Sequence, residues 1–332
     1  MDLEKVYQIE VEEVKEKIPQ HVISWSFKNI KFLLIPASRI EELSIREFEF
    51  EKVRGKRKFI RRFKSLLTIL GIAIVFFVAT LAVFGHWISP ITLSDSLRTA
   101  TGAWASPSPE HPLGQSQLGY DVLARLIFGA KTSLIVALPA IAMNVFFGVI
   151  IGVIAAYYRG WVDSLIMRIC DVFLAFPGLI LALVIIAIFG REIEYIILTW
   201  GFLGIPYYAR LIRGNVLQAR ELPYVQAARV AGAGNMRIMF RHILPNCIQP
   251  VIITLTFQIG TMILALAALS FLGFSDPSMI EWGNDINIAR GHLYDAPWAP
   301  IWPGIMILVT VLGFMLVGDG LRDALDPRLK NL

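Results

Sequence analysis

Charge is scarce in this chain. Asp, Glu, Lys and Arg make up 17% of its 332 residues, against about 25% in an ordinary soluble domain, while hydrophobic residues make up 56%. Cysteine is rarer still. Cys170 and Cys247 are the only two, and both lie in or beside apolar runs, which argues against a disulfide framework or a thiolate metal cluster. His86, His111, His242 and His292 are scattered without a second ligand at helical spacing, and His21 stands apart near the N-terminus, so no metal site is expected. No Ser-His-Asp or Cys-His constellation stands out, and no cofactor is expected. The first residues are acidic and the first apolar run begins only near Ser65, so no cleavable signal peptide is expected and that run stays as an anchor.

What fills the space left by charge is long apolar runs. A helix needs about 20 predominantly apolar residues to cross the hydrocarbon core, and six segments approach that length: roughly 65–87, 132–157, 165–189, 195–213, 247–271 and 300–317. The fourth is interrupted by Gly201, Gly204 and Pro206. The runs are apolar on every face, whereas barrel strands would alternate. The expectation is an all-α, polytopic membrane protein with six transmembrane helices, preceded by a cytoplasmic tail over 1–64 whose aromatic patch (Trp25, Phe27, Phe32) fits a helix lying along the membrane surface. Gly148 and Gly152 form a small-xxx-small pair in the second span that allows close helix approach. Arg168 and Asp171, three apart on the third span, are expected to pair with each other near the interface.

Orientation follows from Lys and Arg near the span ends. Lys52, Arg54, Lys56, Arg57, Lys58, Arg61, Arg62 and Lys64 precede the first span with Glu51 as the acid among them, which holds the N-terminus in the cytoplasm. Six spans then return the C-terminal tail, with Arg322, Arg328 and Lys330, to the same side. Residues 88–131 and 274–298 face outward, where acids match or outnumber bases. The net charge of +5 is accounted for by this topology and needs no nucleic-acid partner. The outward segment Gly129-Ala130-Lys131-Thr132-Ser133 superficially resembles a phosphate-binding loop, but alanine stands where that motif needs glycine before lysine, and no strand precedes it.

The remaining feature is a polar, basic, glycine-punctuated loop on the cytoplasmic side, 221–246, with Arg229, Arg237 and Arg241. Pro223 suits a first helical turn, 224–231 reads as a short alanine-rich helix, and Gly232 and Gly234 can end it in a left-handed conformation. Asn235 is placed to cap a second helix over 236–243, and Pro245 precedes the next span. A hairpin whose surface carries paired alanines can be approached closely by another protein, with the arginines adding steering. The same residues also fit an interfacial loop anchored in headgroups, and by themselves they leave both readings open. No ionisable group stands near the midplane of the spans, which fits a pore worked from outside the membrane better than an ion-coupled carrier. A membrane-embedded enzyme would need a polar constellation within the spans, and none is seen.

Gln226-Ala227-Ala228, three residues, Gly232, nine residues, then His242-Ile243-Leu244-Pro245 resembles the EAA signature of permease subunits of ABC importers. That pattern has glutamate where this chain has Gln226 and isoleucine where it has His242. The runs His111-Pro112-Leu113-Gly114, Leu118-Gly119-Tyr120-Asp121 and Glu281-Trp282-Gly283, with the terminal Gly318-Asp319-Gly320-Leu321-Arg322-Asp323, are similar to the C-type subunit of the dipeptide, oligopeptide and nickel permeases. The resemblance covers about 65–332 and implies a type I ABC importer permease-like fold. It implies a translocation subunit that is not itself an enzyme. Its partners would be a second homologous permease subunit, two cytoplasmic ATPase subunits and an extracytoplasmic substrate-binding protein. Gln226, Ala227, Ala228, Arg229, Gly232, Gly234, Leu244 and Pro245 would form the ATPase-coupling element. The implied cargo is peptide, with oligosaccharide or nickel as the alternative, and Trp282, His292, Tyr294 and Trp298 would face the binding protein or form an aromatic belt.

Overall fold

The computed structural model describes residues 65–96, 102–276 and 279–325, and the 1–64 segment expected as a tail lies outside them. The regular structure of the described residues is helical. Its extended pairing is limited to one isolated bridge between Gln115 and Asp121. In chain order the helices are α1 (Leu66–Ile88), the short α2 (Leu93–Ser96), α3 (Val122–Tyr158), α4 (Gly160–Ala175), α5 (Gly178–Phe189), α6 (Ile193–Leu203), α7 (Ile205–Ala219) and α8 (Pro223–Val230). Next comes α9, which starts at Asn235–Arg237, passes through a π turn at Ile238–Ile243 and ends at Leu244–Cys247. The last three are α10 (Gln249–Phe271), α11 (Trp282–Ala289) and α12 (Trp298–Leu325).

Among the described residues, five segments are long and apolar enough to cross a membrane: α1, α3, the α6–α7 run Ile193–Ala219, α10 and α12. The expected third span differs from a simple rod. It is the pair α4 and α5, bent by 88°, and six spans result when the pair counts as one. The break falls at Phe176-Pro177, where proline has no N–H to continue the ladder and pushes the preceding residue to extended backbone, here φ −94°, ψ 141°.

The second span also begins earlier than expected. α3 starts at Val122, ten residues before the apolar run, and its 37 residues extend about 55 Å. Asp121 caps it by accepting from the Ala124 N–H at 2.7 Å. Arg125, which as a charge would mark the edge of an apolar run, is buried inside the fold and donates to Asp285 of α11 through Nε at 2.8 Å and Nη2 at 2.5 Å. At the far end the helix stops where Arg159 and Gly160 both adopt positive φ of 58°.

Close crossings organise the bundle. A Cβ on Gly152 would lie 2.3 Å from the Ala209 carbonyl oxygen, and one on Gly148 would lie 2.6 Å from the Tyr208 Cβ. The small-xxx-small pair therefore sets the contact of α3 with α7, as expected. The Arg168–Asp171 pairing is not formed. Asp171 instead accepts from Arg210 of α7, and nearer the hairpin Asp163 takes both arms of Arg213 at 2.6 Å. The antiparallel approach of α4 and α7 brings acid and guanidinium together, and their planar forks match better across helices than along one.

Candidate functional site

The 221–246 loop folds as a helical hairpin against the ends of α3 and α7. Pro223 stands in the first turn of α8 as expected. The helix ends in a Schellman motif: the Gly232 N–H donates to Arg229 O at 3.1 Å and the Ala233 N–H to Ala228 O at 3.0 Å. Gly232 adopts φ +80° with open space around its missing Cβ, so the backbone conformation, not packing, requires glycine there. Gly234 differs from expectation. Its φ is −67°, an ordinary extended value, and it starts the second helix from the N-cap position.

Asn235 likewise does not cap. It is the first residue of α9, and its side-chain oxygen accepts from the Tyr157 hydroxyl at 2.8 Å. The π turn that follows has a local cause. Pro245 cannot donate to a carbonyl and its ring crowds the preceding turn, and widening that turn lets the Leu244 N–H reach Met239 O instead.

The inner side of the hairpin is a small core of its own. Val225, Ile238, Met239 and Ile243 are fully buried against Val153, Ala156, Tyr157, Val216 and Ala219. Arg220 clasps the junction by donating to Tyr157 O at 2.6 Å and Ala156 O at 3.3 Å, which occupies carbonyls left open at the end of α3. Burial, with Arg159 and Arg229 adding, lowers the pKa of this guanidinium, which stays charged because its ordinary value is so high. Glu221 closes the ring, 2.8 Å from Arg159. Sequence reasoning missed Arg159, Arg220 and Tyr157. Their only early signal was basic and aromatic residues clustered where two apolar runs end.

The outer side is bare. Gln226, Ala227, Arg229, Ala231, Gly232, Gly234 and Pro245 are exposed, Ala228 and Leu244 are half-buried, and Val230 stands 90% exposed at the tip of α8. Gln226 donates to the Glu221 carbonyl at 3.2 Å, a bond that a carboxylate could not donate. The expected residues thus share one hairpin, with Gly234, Leu244 and Pro245 on its second arm. The arrangement has no acid-base or nucleophilic chemistry to offer. It offers an exposed knob, packed by its inner side on α3 and α7, where alanine and glycine alternate with arginine and Val230.

At the other end, α11 folds under the 102–121 loop. Trp282, expected to face outward, is buried, donates to Leu126 O at 3.1 Å and packs on Gly129. Trp298 donates to Gln115 O at 3.0 Å. Trp104 stacks on His292 with centroids 4.0 Å apart, and Tyr294 is 99% exposed. Beneath them Glu281 accepts from Ser270, and burial, then the charges of Asp285 and Asp276, push its carboxyl up to about 8.

An all-helical bundle with apolar spans, joined to a polar hairpin, defines a multi-pass membrane protein. Residues 148–331 match the family described as the binding-protein-dependent transport system inner membrane component, and the chain belongs to that family. It is 38% identical over 269 residues to the dipeptide transport system permease protein DppC of Alkalihalophilus pseudofirmus, covering 81% of this chain and 88% of that one. It is 39% identical over 281 residues to the glutathione transport system permease protein GsiD of Pectobacterium atrosepticum (83% and 92%), and equally identical to that of Escherichia coli (82% and 91%).

Proposed function

We propose that this chain is a translocation subunit of an ATP-driven importer of peptides, and that the 221–246 hairpin is where ATP-driven motion enters it. The observation that carries the reading is the two-sidedness of the hairpin: a fully buried Val225 side locked to α3 and α7, and a bare outer side of Ala227, Val230 and Gly232. A displacement of that knob has a stiff route into the spans, because Arg220 and Tyr157 tie it to the ends of both helices. Relatives named for dipeptide and glutathione transport support a small-peptide cargo.

In this reading the hairpin and both chain ends lie in the cytoplasm, following the basic residues near the span ends. A cleft in each of two cytoplasmic ATPase subunits receives a coupling hairpin, one from this chain and one from a second, homologous permease subunit. A substrate-binding protein docks at the opposite end, around the 102–121 loop and Tyr294. The 1–64 segment is a cytoplasmic tail appended to the permease domain.

The test is co-purification from membranes followed by reconstitution. An ATPase subunit and a second permease subunit are expected to accompany the chain, and di- or tripeptide uptake should require ATP and the binding protein. Uptake that proceeds without nucleotide would overturn the reading.

A further inference from the structure

The segment that superficially resembles a phosphate-binding loop has a different use in the fold. Lys131 lies on α3 and lines an apolar crevice of about 910 Å³ between α1 and α3. Ala79 and His86 contribute from α1, and Phe128, Ile135 and Pro139 from α3. Lys131 is exposed, and it makes no hydrogen bond or ion pair with the described residues. A cation without a partner among the described residues, set beside apolar walls, suits an anion that can bring its own apolar body.

The dimensions say which kind. From Phe128 to Pro139 the crevice follows α3 for about 16 Å, half of a hydrocarbon core about 30 Å thick. It therefore reaches from one interface to the midplane, the depth of a single leaflet. Lys131 and His86 sit towards one end, and the exposed Trp87 beside them marks the interfacial level where indoles settle. An ammonium on a flexible stem at that end reaches headgroup phosphate while the acyl chain lies between Val83 and Leu138. Water is a poor tenant for walls this apolar.

We infer that the α1–α3 crevice is a binding site for one anionic phospholipid, its acyl chain in the groove and its headgroup phosphate on Lys131. The site lies away from the coupling hairpin and does not depend on the transport reading.

The test uses the full chain with whatever subunits co-purify, reconstituted in vesicles of mixed phosphatidylglycerol and phosphatidylcholine, extracted mildly and weighed by native mass spectrometry. One retained phosphatidylglycerol is expected, preferred over phosphatidylcholine by about fivefold, the scale of one cation near an anionic surface. Lys131→Gln should bring that preference close to unity, Lys131→Arg should keep it, and Ala79→Trp should expel the lipid with Lys131 still present. Equal retention by wild type and Lys131→Gln would overturn the inference. So would lipid that is held by the isolated chain but lost from the assembled complex, because the crevice would then be a seat for another subunit.

Discussion

The guanidinium of Arg220 donates to the Tyr157 carbonyl at 2.6 Å, so the first residue past α7 is tied to the last turn of α3. Two helices far apart in the chain thereby end in one joint, and the hairpin grows out of that joint. Motion that carries one of these helix ends without the other would have to break this bond.

Arg220→Ala is therefore expected to leave insertion and assembly intact while lowering substrate-stimulated ATP hydrolysis and uptake at least tenfold. Loss of one charged hydrogen bond of about 1.5–3 kcal/mol is enough for that. Unchanged coupling with normal assembly would show that the joint does not transmit motion.

The two hairpin glycines should behave differently. Gly232→Val places a β-branched residue at φ +80° and is expected to cost about 1–2 kcal/mol locally and to abolish coupling. Gly234→Ala, at φ −67° with open space around it, should retain near wild-type stimulated hydrolysis. Equal damage from both would mean that the outer surface, and not the left-handed turn, sets the requirement.

Arg125 and Asp285, each 7% exposed in its side chain, form a buried pair that holds α11 on α3. Removing one partner, as in Asp285→Leu, should cost about 3–5 kcal/mol, whereas the double change to Leu at both positions should recover much of it. Thermal unfolding of the purified protein in detergent checks the order of the three variants.

The Glu281 carboxyl has a pKa of about 8 in the fold against an ordinary value of 4.5, so the folded protein holds a proton there that the unfolded chain releases between those values. Stability is then fullest below about pH 4.5 as far as this group is concerned, and falls as pH rises towards 8. Between pH 6 and pH 9 the melting temperature should drop, and Glu281→Gln should flatten that drop and leave the variant more stable than wild type at pH 9. A profile identical in the two proteins would remove Glu281 as its source.

The class of the protein was legible because membrane spans are written as length and apolarity, and Pro223, Gly232 and the alanines of 226–228 are local devices whose meaning does not depend on distant residues. Asp171 shows the boundary. Its nearest cation in the chain is Arg168, but its partner is Arg210, and only the antiparallel approach of α4 and α7 puts that guanidinium within reach. Arg125 shows it again: a charge within the outward 88–131 segment lies buried in a helix because Asp285 arrives from 160 positions away. Asn235 read as a cap, yet Tyr157 claims its side chain.

By itself the sequence determined that this is an α-helical membrane protein with a polar hairpin between two of its apolar runs, because backbone hydrogen bonding in lipid leaves apolar runs of this length one structure to adopt. Only the tertiary structure decided which charges pair, where α4 and α5 bend apart, and that the hairpin is bolted to two spans at Arg220 and Tyr157. Those outcomes depend on which residues become neighbours after packing, and spacing along a chain carries no record of that.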